Sequence, residues 1–110
     1  MIEHEDFYCG EIISGKTPVK KLYESDNVLA FHHTQPSYKV HIVIAPKKHI
    51  ADLVSFTDDD SKILNEILRV ARDLVKDLDK AEGIRLVTNM GKFQDTLHLH
   101  FHLIVGEKII

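Results

Sequence analysis

The sequence is poor in cysteine, and this excludes two kinds of covalent support. Its 110 residues include a single cysteine, Cys9. An internal disulfide and a paired-thiol zinc motif are therefore both excluded. A lone thiol is typical of a small buried apolar side chain, and we interpret Cys9 in that way. A chain of this length can bury a modest core, and we expect one domain over residues 1–110.

Long apolar runs and runs of positive charge are also missing. No stretch approaches the roughly 18 apolar residues that a membrane span needs. The acidic start, residues 1–6, lacks the apolar segment of a signal peptide. The net charge is -3 with the two signs interspersed, so no basic stripe is available for duplex nucleic acid. We therefore expect a cytoplasmic protein with neither a membrane nor a nucleic acid as its partner.

Hydrophobic patterns predict an α+β domain. Residues 40–45 are β-branched and almost wholly apolar, which favours a central strand covered on both faces. Short connections favour antiparallel neighbours, so we expect a mostly antiparallel five-stranded sheet with one long and one short helix, the helices largely on one face. The predicted order is a short helix over 8–14, strands over 19–24, 28–33 and 40–45, a long helix, and strands over 84–88 and 96–105.

The long helix is predicted from one apolar stripe. Thr57 can cap its start, with Asp60 three residues further on. Apolar side chains then recur at spacings of three and four, which is typical of a helix packed on a sheet. The stripe consists of Ile63, Leu64, Ile67, Leu68, Ala71, Leu74, Val75 and Leu78.

Histidine is abundant, with eight in the chain and three at alternate positions near its end. In a strand, His98, His100 and His102 would line one face, roughly 7 Å apart, while the leucines and Phe101 between them face the core. Three interpretations are open. The row is a solvated face, a metal site with His41 as a further ligand, or a catalytic row that acts near neutral pH.

The catalytic interpretation has a definite chemistry. An imidazole that attacks phosphorus forms a phosphoramidate-type intermediate, which water then hydrolyses. Positioning and stabilisation of the phosphoryl oxygens would supply most of the rate. Hydrogen-bond donors near the row include Asn89, Gln94 and Thr96.

The run from His98 to Ile104 resembles the motif of the histidine triad (HIT) family, in which three histidines alternate with apolar residues. The chain resembles the nucleoside phosphoramidate hydrolase branch of that family over nearly its whole length. The other matching segments are 12–18, 23–26, 29–31, 43–50 and 83–89.

This resemblance implies a homodimer that binds a purine nucleotide and cleaves its α-phosphoryl group from a leaving group, by P–N or related bond hydrolysis. It implies that His100 is the nucleophile, that His102 contacts the phosphate and that His98 supports the row. It further implies binding positions around the base, the phosphate and the leaving group. These positions are Ile12, Phe31, His41, Asn89 and Gln94.

Several positions depart from the family pattern. His33 replaces an aspartate that binds the ribose hydroxyls, and Asp95 replaces a hydroxyl residue at the leaving-group end. Some bacterial relatives bind zinc through two cysteines, whose positions correspond to Phe7 and Gly10 here, so we predict no metal, and no cofactor. Two alternative functions stay open: hydrolysis of dinucleoside polyphosphates, and a nucleotide-binding or interaction module with little turnover.

Overall fold

The computed structural model describes residues 8–109, which form a five-stranded antiparallel sheet crossed by one α-helix, α1. This confirms the predicted α+β class. The sheet order is β1-β2-β3-β5-β4, and every neighbouring pair is antiparallel. The bounds are β1 Lys21–Glu24, β2 Val28–His32, β3 Tyr38–Pro46, α1 Ser61–Val75, β4 Ile84–Thr88 and β5 Phe101–Lys108, with a π-helical turn over Tyr8–Ile13 and 3-10 turns over Leu53–Ser55, Asp58–Asp60, Lys80–Glu82 and Gly91–Phe93.

The central position of β3 follows from its composition. Ile42 and Ile44 enter the apolar cluster beneath α1, whereas Val43 and Ala45 enter a second cluster on the opposite face. Successive strand residues point to opposite faces, so only an apolar run can serve two clusters. The prediction of a strand covered on both faces is confirmed.

Helix α1 covers one face of the sheet. Ile67, which is 0% exposed, packs with Val70 and Ala71 against Val28 and Ala30 of β2. The helix begins at Ser61, later than the sequence indicated, because Thr57 and Asp60 cap the 3-10 turn that precedes it. The predicted stripe is too wide at one position, since Leu68 is 47% exposed. No helix within residues 8–109 is long and apolar enough to cross a membrane.

The short helix lies on the other face, so the expectation that the helices share one face is wrong. Tyr8 and Ile12 pack on Leu29, Phe31 and Val43. The physical reason is that β2 is apolar at four consecutive positions, all of them buried. A strand that is apolar on both faces needs a cover on each.

The last strand starts at Phe101, so residues 96–100 are not the strand that alternation predicted. Strand β4 stops at Thr88, opposite Phe101, and β3 stops at Pro46. Proline has no N–H, so the ladder between β3 and β5 cannot extend beyond that point. The backbone instead turns locally, with the N–H of His98 donating to the carbonyl of Thr96 at 2.8 Å.

Candidate active site

Four histidine rings gather on the sheet face opposite α1. His102 lies beside Val43 in the β3–β5 register, and His41 lies beside Ile104. Cross-strand partners share a face, so both rings lie on the side of the short helix. The His100 ring lies 4.8 Å from that of His102, and the His33 ring is stacked 4.3 Å from that of His41. Long-range strand pairing therefore assembles a cluster from three separate segments.

His98 and His100 are both fixed by backbone carbonyls. The Nε2 of His98, a fully buried ring, donates to the carbonyl of Pro46 at 2.7 Å. The Nδ1 of His100 donates to the carbonyl of His98 at 2.6 Å. A carbonyl only accepts, so the proton of neutral His100 is on Nδ1 and the lone pair is on Nε2. His100 therefore carries a free nucleophilic nitrogen.

A hydrogen bond from His41 fixes His102 in the tautomer opposite to that of His100. The backbone N–H of Ser37 donates to Nδ1 of His41 at 3.1 Å, which places the proton of neutral His41 on Nε2. That Nε2–H donates to Nδ1 of His102 at 2.8 Å. The proton of His102 is consequently on Nε2. The site thus presents one lone pair, on His100, and one N–H donor, on His102.

Burial keeps these rings neutral. Desolvation lowers the pKa of His100, and it lowers the pKa of His102 to about 3, with further lowering from the neighbouring imidazoles. The pKa of His41 falls to about 4 for the same reasons. All three rings are therefore uncharged at neutral pH, as their hydrogen bonds require.

His33 joins the cluster as a donor. Its Nδ1 accepts from the N–H of Gln35 at 2.9 Å, so neutral His33 carries its proton on Nε2. Burial lowers the pKa of His33, while the negative charge of Asp95 acts in the opposite direction. A neutral ring with this tautomer can donate one hydrogen bond from Nε2 but cannot accept one there.

An open cavity of about 420 Å³ extends from the cluster along the sheet. Its walls come from the β2–β3 connection on one side and from β4 and Asp95 on the other. Of the predicted site residues, His33, His41, Asn89, Asp95 and His102 line it.

The other predicted binding residues lie elsewhere. Ile12 and Phe31, each 2% exposed, belong to the apolar cluster around Tyr8 and do not line the cavity. The side-chain amide of Gln94 donates to the carbonyl of Ala51 at 2.7 Å, and Gln94 also lies outside the cavity lining.

Three contributors escaped the sequence analysis. The ring of Tyr8 lies 4.8 Å from that of His100. Arg85 lines the cavity, and the alternation of the 84–88 strand could have placed it on the face of Val87. The backbone N–H of Ser37 acts through loop geometry, for which a sequence holds no signal.

Within residues 8–109, two groups of side chains have the composition of a metal site. The donor atoms of Cys9, His49 and His98 lie within 4.8 Å of one another, but three ligands are one short of a closed tetrahedral zinc site. Gly10 contributes no ligand, and Phe7 lies outside the described residues. His33, His41 and His102 form the second group. There, Nε2 of His33 and of His41 carries a proton rather than a lone pair, so this group does not fit a metal. The absence of a metal stays a prediction.

Comparison with known proteins identifies the family. A family model of the HIT domain matches residues 14–109. The chain belongs to the HIT family. A HIT-like protein of Synechococcus elongatus, itself uncharacterized, is 35% identical over 107 residues, covering 96% of this chain and 94% of its own length.

Solved structures of HIT proteins confirm the HIT-like fold. A HIT family hydrolase from Legionella pneumophila superposes with a TM-score of 0.81 at 35% identity, over 96% of each chain. A histidine triad protein from Clostridium difficile gives a TM-score of 0.82 at 33% identity, over 100% of this chain and 97% of its own. The alternating histidines at positions 98, 100 and 102 thus lie within the matched HIT domain.

Proposed function

We propose that this HIT protein hydrolyses the bond between a purine nucleoside monophosphate and a leaving group, a P–N or related bond, through a nucleotidyl intermediate on His100. The observation that carries the proposal is the hydrogen bond from Nδ1 of His100 to the carbonyl of His98, which leaves a lone pair on Nε2. The description of the Legionella pneumophila neighbour as a HIT family hydrolase supports a hydrolytic reaction.

The proposed reaction has two displacements. The lone pair on Nε2 of His100 forms a bond to phosphorus as the bond to the leaving nitrogen breaks, and that nitrogen takes a proton from water. Water then attacks phosphorus, the P–Nε2 bond breaks with its electron pair returning to His100, and the surplus proton goes to solvent. The Nε2–H of His102 donates to a phosphoryl oxygen, where charge accumulates.

The remaining site residues have proposed roles around the same phosphorus. Asn89 lines the same cavity as His102, and its proposed role is to donate to a phosphoryl oxygen. The apolar cluster of Ile12 and Phe31 is the proposed lining for the purine, and His33 is the proposed ribose contact. Gln94 and a cytoplasmic location stay predictions, as does the absence of nucleic acid and membrane partners.

A direct test is the release of AMP from adenosine 5′-phosphoramidate. Replacing the nucleophile in His100→Ala is expected to lower turnover by about 10³-fold or more. His32→Ala is a matched control, since His32 neighbours Ile42 in the register and so shares the face of α1. Equal turnover by the wild type and His100→Ala would refute the mechanism.

Two other outcomes of turnover and binding measurements would each favour one of the alternative functions. Faster turnover of diadenosine tri- or tetraphosphate than of the phosphoramidate would identify a dinucleoside polyphosphate hydrolase. Tight AMP binding without turnover of either would identify a nucleotide-binding module. The supporting observation is Asp95 in the cavity lining, because a carboxylate beside the phosphoryl group would slow attack on it.

We also propose that the protein is a homodimer. Strand β4 is an edge of the sheet. An open groove of about 670 Å³ lies between α1 and β4, and its apolar lining includes Leu68 and Leu86. A second copy of the chain would cover both features. Light scattering after gel filtration is expected to give two chains for the wild type and one for Leu86→Glu. Leu22→Glu, on the opposite edge strand, is the control, because Leu22 is 40% exposed and Leu86 is 39% exposed.

A further inference from the structure

The geometry of displacement at phosphorus fixes where the leaving group lies. Attacking and leaving atoms are roughly in line on opposite sides of phosphorus. The ring of His100 lies on the side of His102 that Tyr8 covers, and the cavity runs from Asn89 and Asp95 past His102 and Ile104 to Lys108. If His100 attacks a phosphoryl group held at His102, the leaving group extends into the cavity, over Ile104.

Two cations stand at that end of the cavity. Arg85 and Lys108 both line it, and neither forms an ion pair with a carboxylate of residues 8–109. Asp95 is the one carboxylate among the described lining residues, and it acts electrostatically on His33 and His100 at the opposite end of the cavity. Charge therefore changes sign along the cavity, from negative near the triad to positive at its far end.

Arg85 is held in place without a carboxylate. Its guanidinium carbon lies 5.8 Å from the centre of the Tyr38 ring, and one terminal nitrogen donates to the carbonyl of Gly106 at 3.3 Å. Gly106 has a φ of 77°, and the β3–β5 register shifts next to it, which sets Lys108 opposite Tyr38. Both cations therefore lie at the end of the cavity that contains Tyr38.

The distance between His102 and Arg85 determines how far an anion can lie from the phosphoryl group. Val87 is the β4 neighbour of His102, and Arg85 is two residues along the same strand, roughly 7 Å away. A long arginine side chain covers part of this distance, so it can reach an anion that is joined to the phosphoryl group through a few bonds. We propose that Arg85 and Lys108 form an anion subsite, and that the leaving group of the substrate carries a carboxylate or a phosphate. This proposal rests on the proposed function for the position of the phosphoryl group.

The first test needs no turnover. ADP carries a second phosphate where the leaving group would lie, so calorimetry is expected to find ADP bound about tenfold more tightly than AMP by the wild-type protein. In Arg85→Gln and in Lys108→Gln this preference is expected to fall toward one. Arg69→Gln, an equivalent loss of charge at an exposed position of α1, should keep it.

The second test separates the two anions. Adenosine phosphoramidates of β-alanine and of β-alanine amide differ by one negative charge, so their ratio of kcat/KM reports a carboxylate preference, whereas the ADP preference reports a phosphate. A preference lost in Arg85→Gln identifies the anion. If the wild type has neither preference, or if Arg85→Gln retains both, the subsite is refuted. Absence of turnover for both phosphoramidates together with an Arg85-dependent ADP preference would refute the proposed hydrolysis and leave the subsite intact.

Discussion

The buried histidine pair makes the folded protein sensitive to mild acid. His41 and His102 have pKa values of about 4 and about 3, against an ordinary value of 6.5 for an exposed imidazole. Between these limits the unfolded chain binds protons that the folded chain does not. Stability therefore rises with pH in this window, is complete above about pH 6.5, and is lost as the pH falls toward 4.

The size of this loss follows from the shifts. One pH unit of differential protonation is worth about 1.4 kcal/mol, so each ring costs about 2 kcal/mol between neutral pH and about pH 5. The two together cost about 4 kcal/mol, a large part of the stability of a small domain. Carboxylates interfere little here, because the lowered pKa values of Asp60 and Glu66 confine their contribution to lower pH.

Urea unfolding at about pH 7.5 and about pH 5, at one protein concentration, measures this difference. We expect a fall of at least about 4 kcal/mol in the free energy of unfolding for the wild type, because the lowered pKa values of His33 and His100 add to the effect of the pair. The fall is expected to be about 2 kcal/mol smaller for His41→Gln, which removes one titrating ring. His32→Gln, outside the pair, should keep the wild-type difference. Equal stability of the wild type at the two pH values, or an unchanged loss in His41→Gln, would refute the assignment of the proton uptake to this pair.

Three substitutions test other parts of the structure. Ile67→Ala leaves a cavity beneath α1 and is expected to lower the free energy of unfolding by about 3 kcal/mol, measured with urea; a loss below about 1 kcal/mol would contradict the packing described. His33→Asp supplies two acceptors in place of one donor and is expected to tighten AMP binding about tenfold in calorimetry, and unchanged affinity would remove residue 33 from the ribose site. Asp95→Ser removes a negative charge from the cavity and is expected to raise phosphoramidate turnover about tenfold, so a slower variant would instead assign Asp95 a useful role.

The sequence could predict what depends on local pattern. Residues 84–88 form the strand that their composition indicates, and the short helix ends within one residue of the expected position. It could not predict that this helix lies opposite α1, because that position depends on contacts of Leu29 and Val43 with residues far along the chain. The prediction of one regular strand through His98, His100 and His102 was wrong at its N-terminal end for a similar reason. His98 turns to the carbonyl of Pro46, 52 residues away, where the ladder stops.

The backbone, rather than the rings themselves, gives the histidines their different roles. The carbonyl of His98 accepts a hydrogen bond from Nδ1–H of His100. The backbone N–H of Ser37 donates to Nδ1 of His41, so the proton of His41 is on Nε2, which donates to Nδ1 of His102. Exchanging the tautomers would set N–H against N–H at Ser37 and two acceptors face to face at His98. A buried group left unsatisfied costs about 1–3 kcal/mol, so each ring is held in one tautomer. The sheet and its loops therefore decide that His100 offers a lone pair while His102, chemically the same side chain, offers a proton.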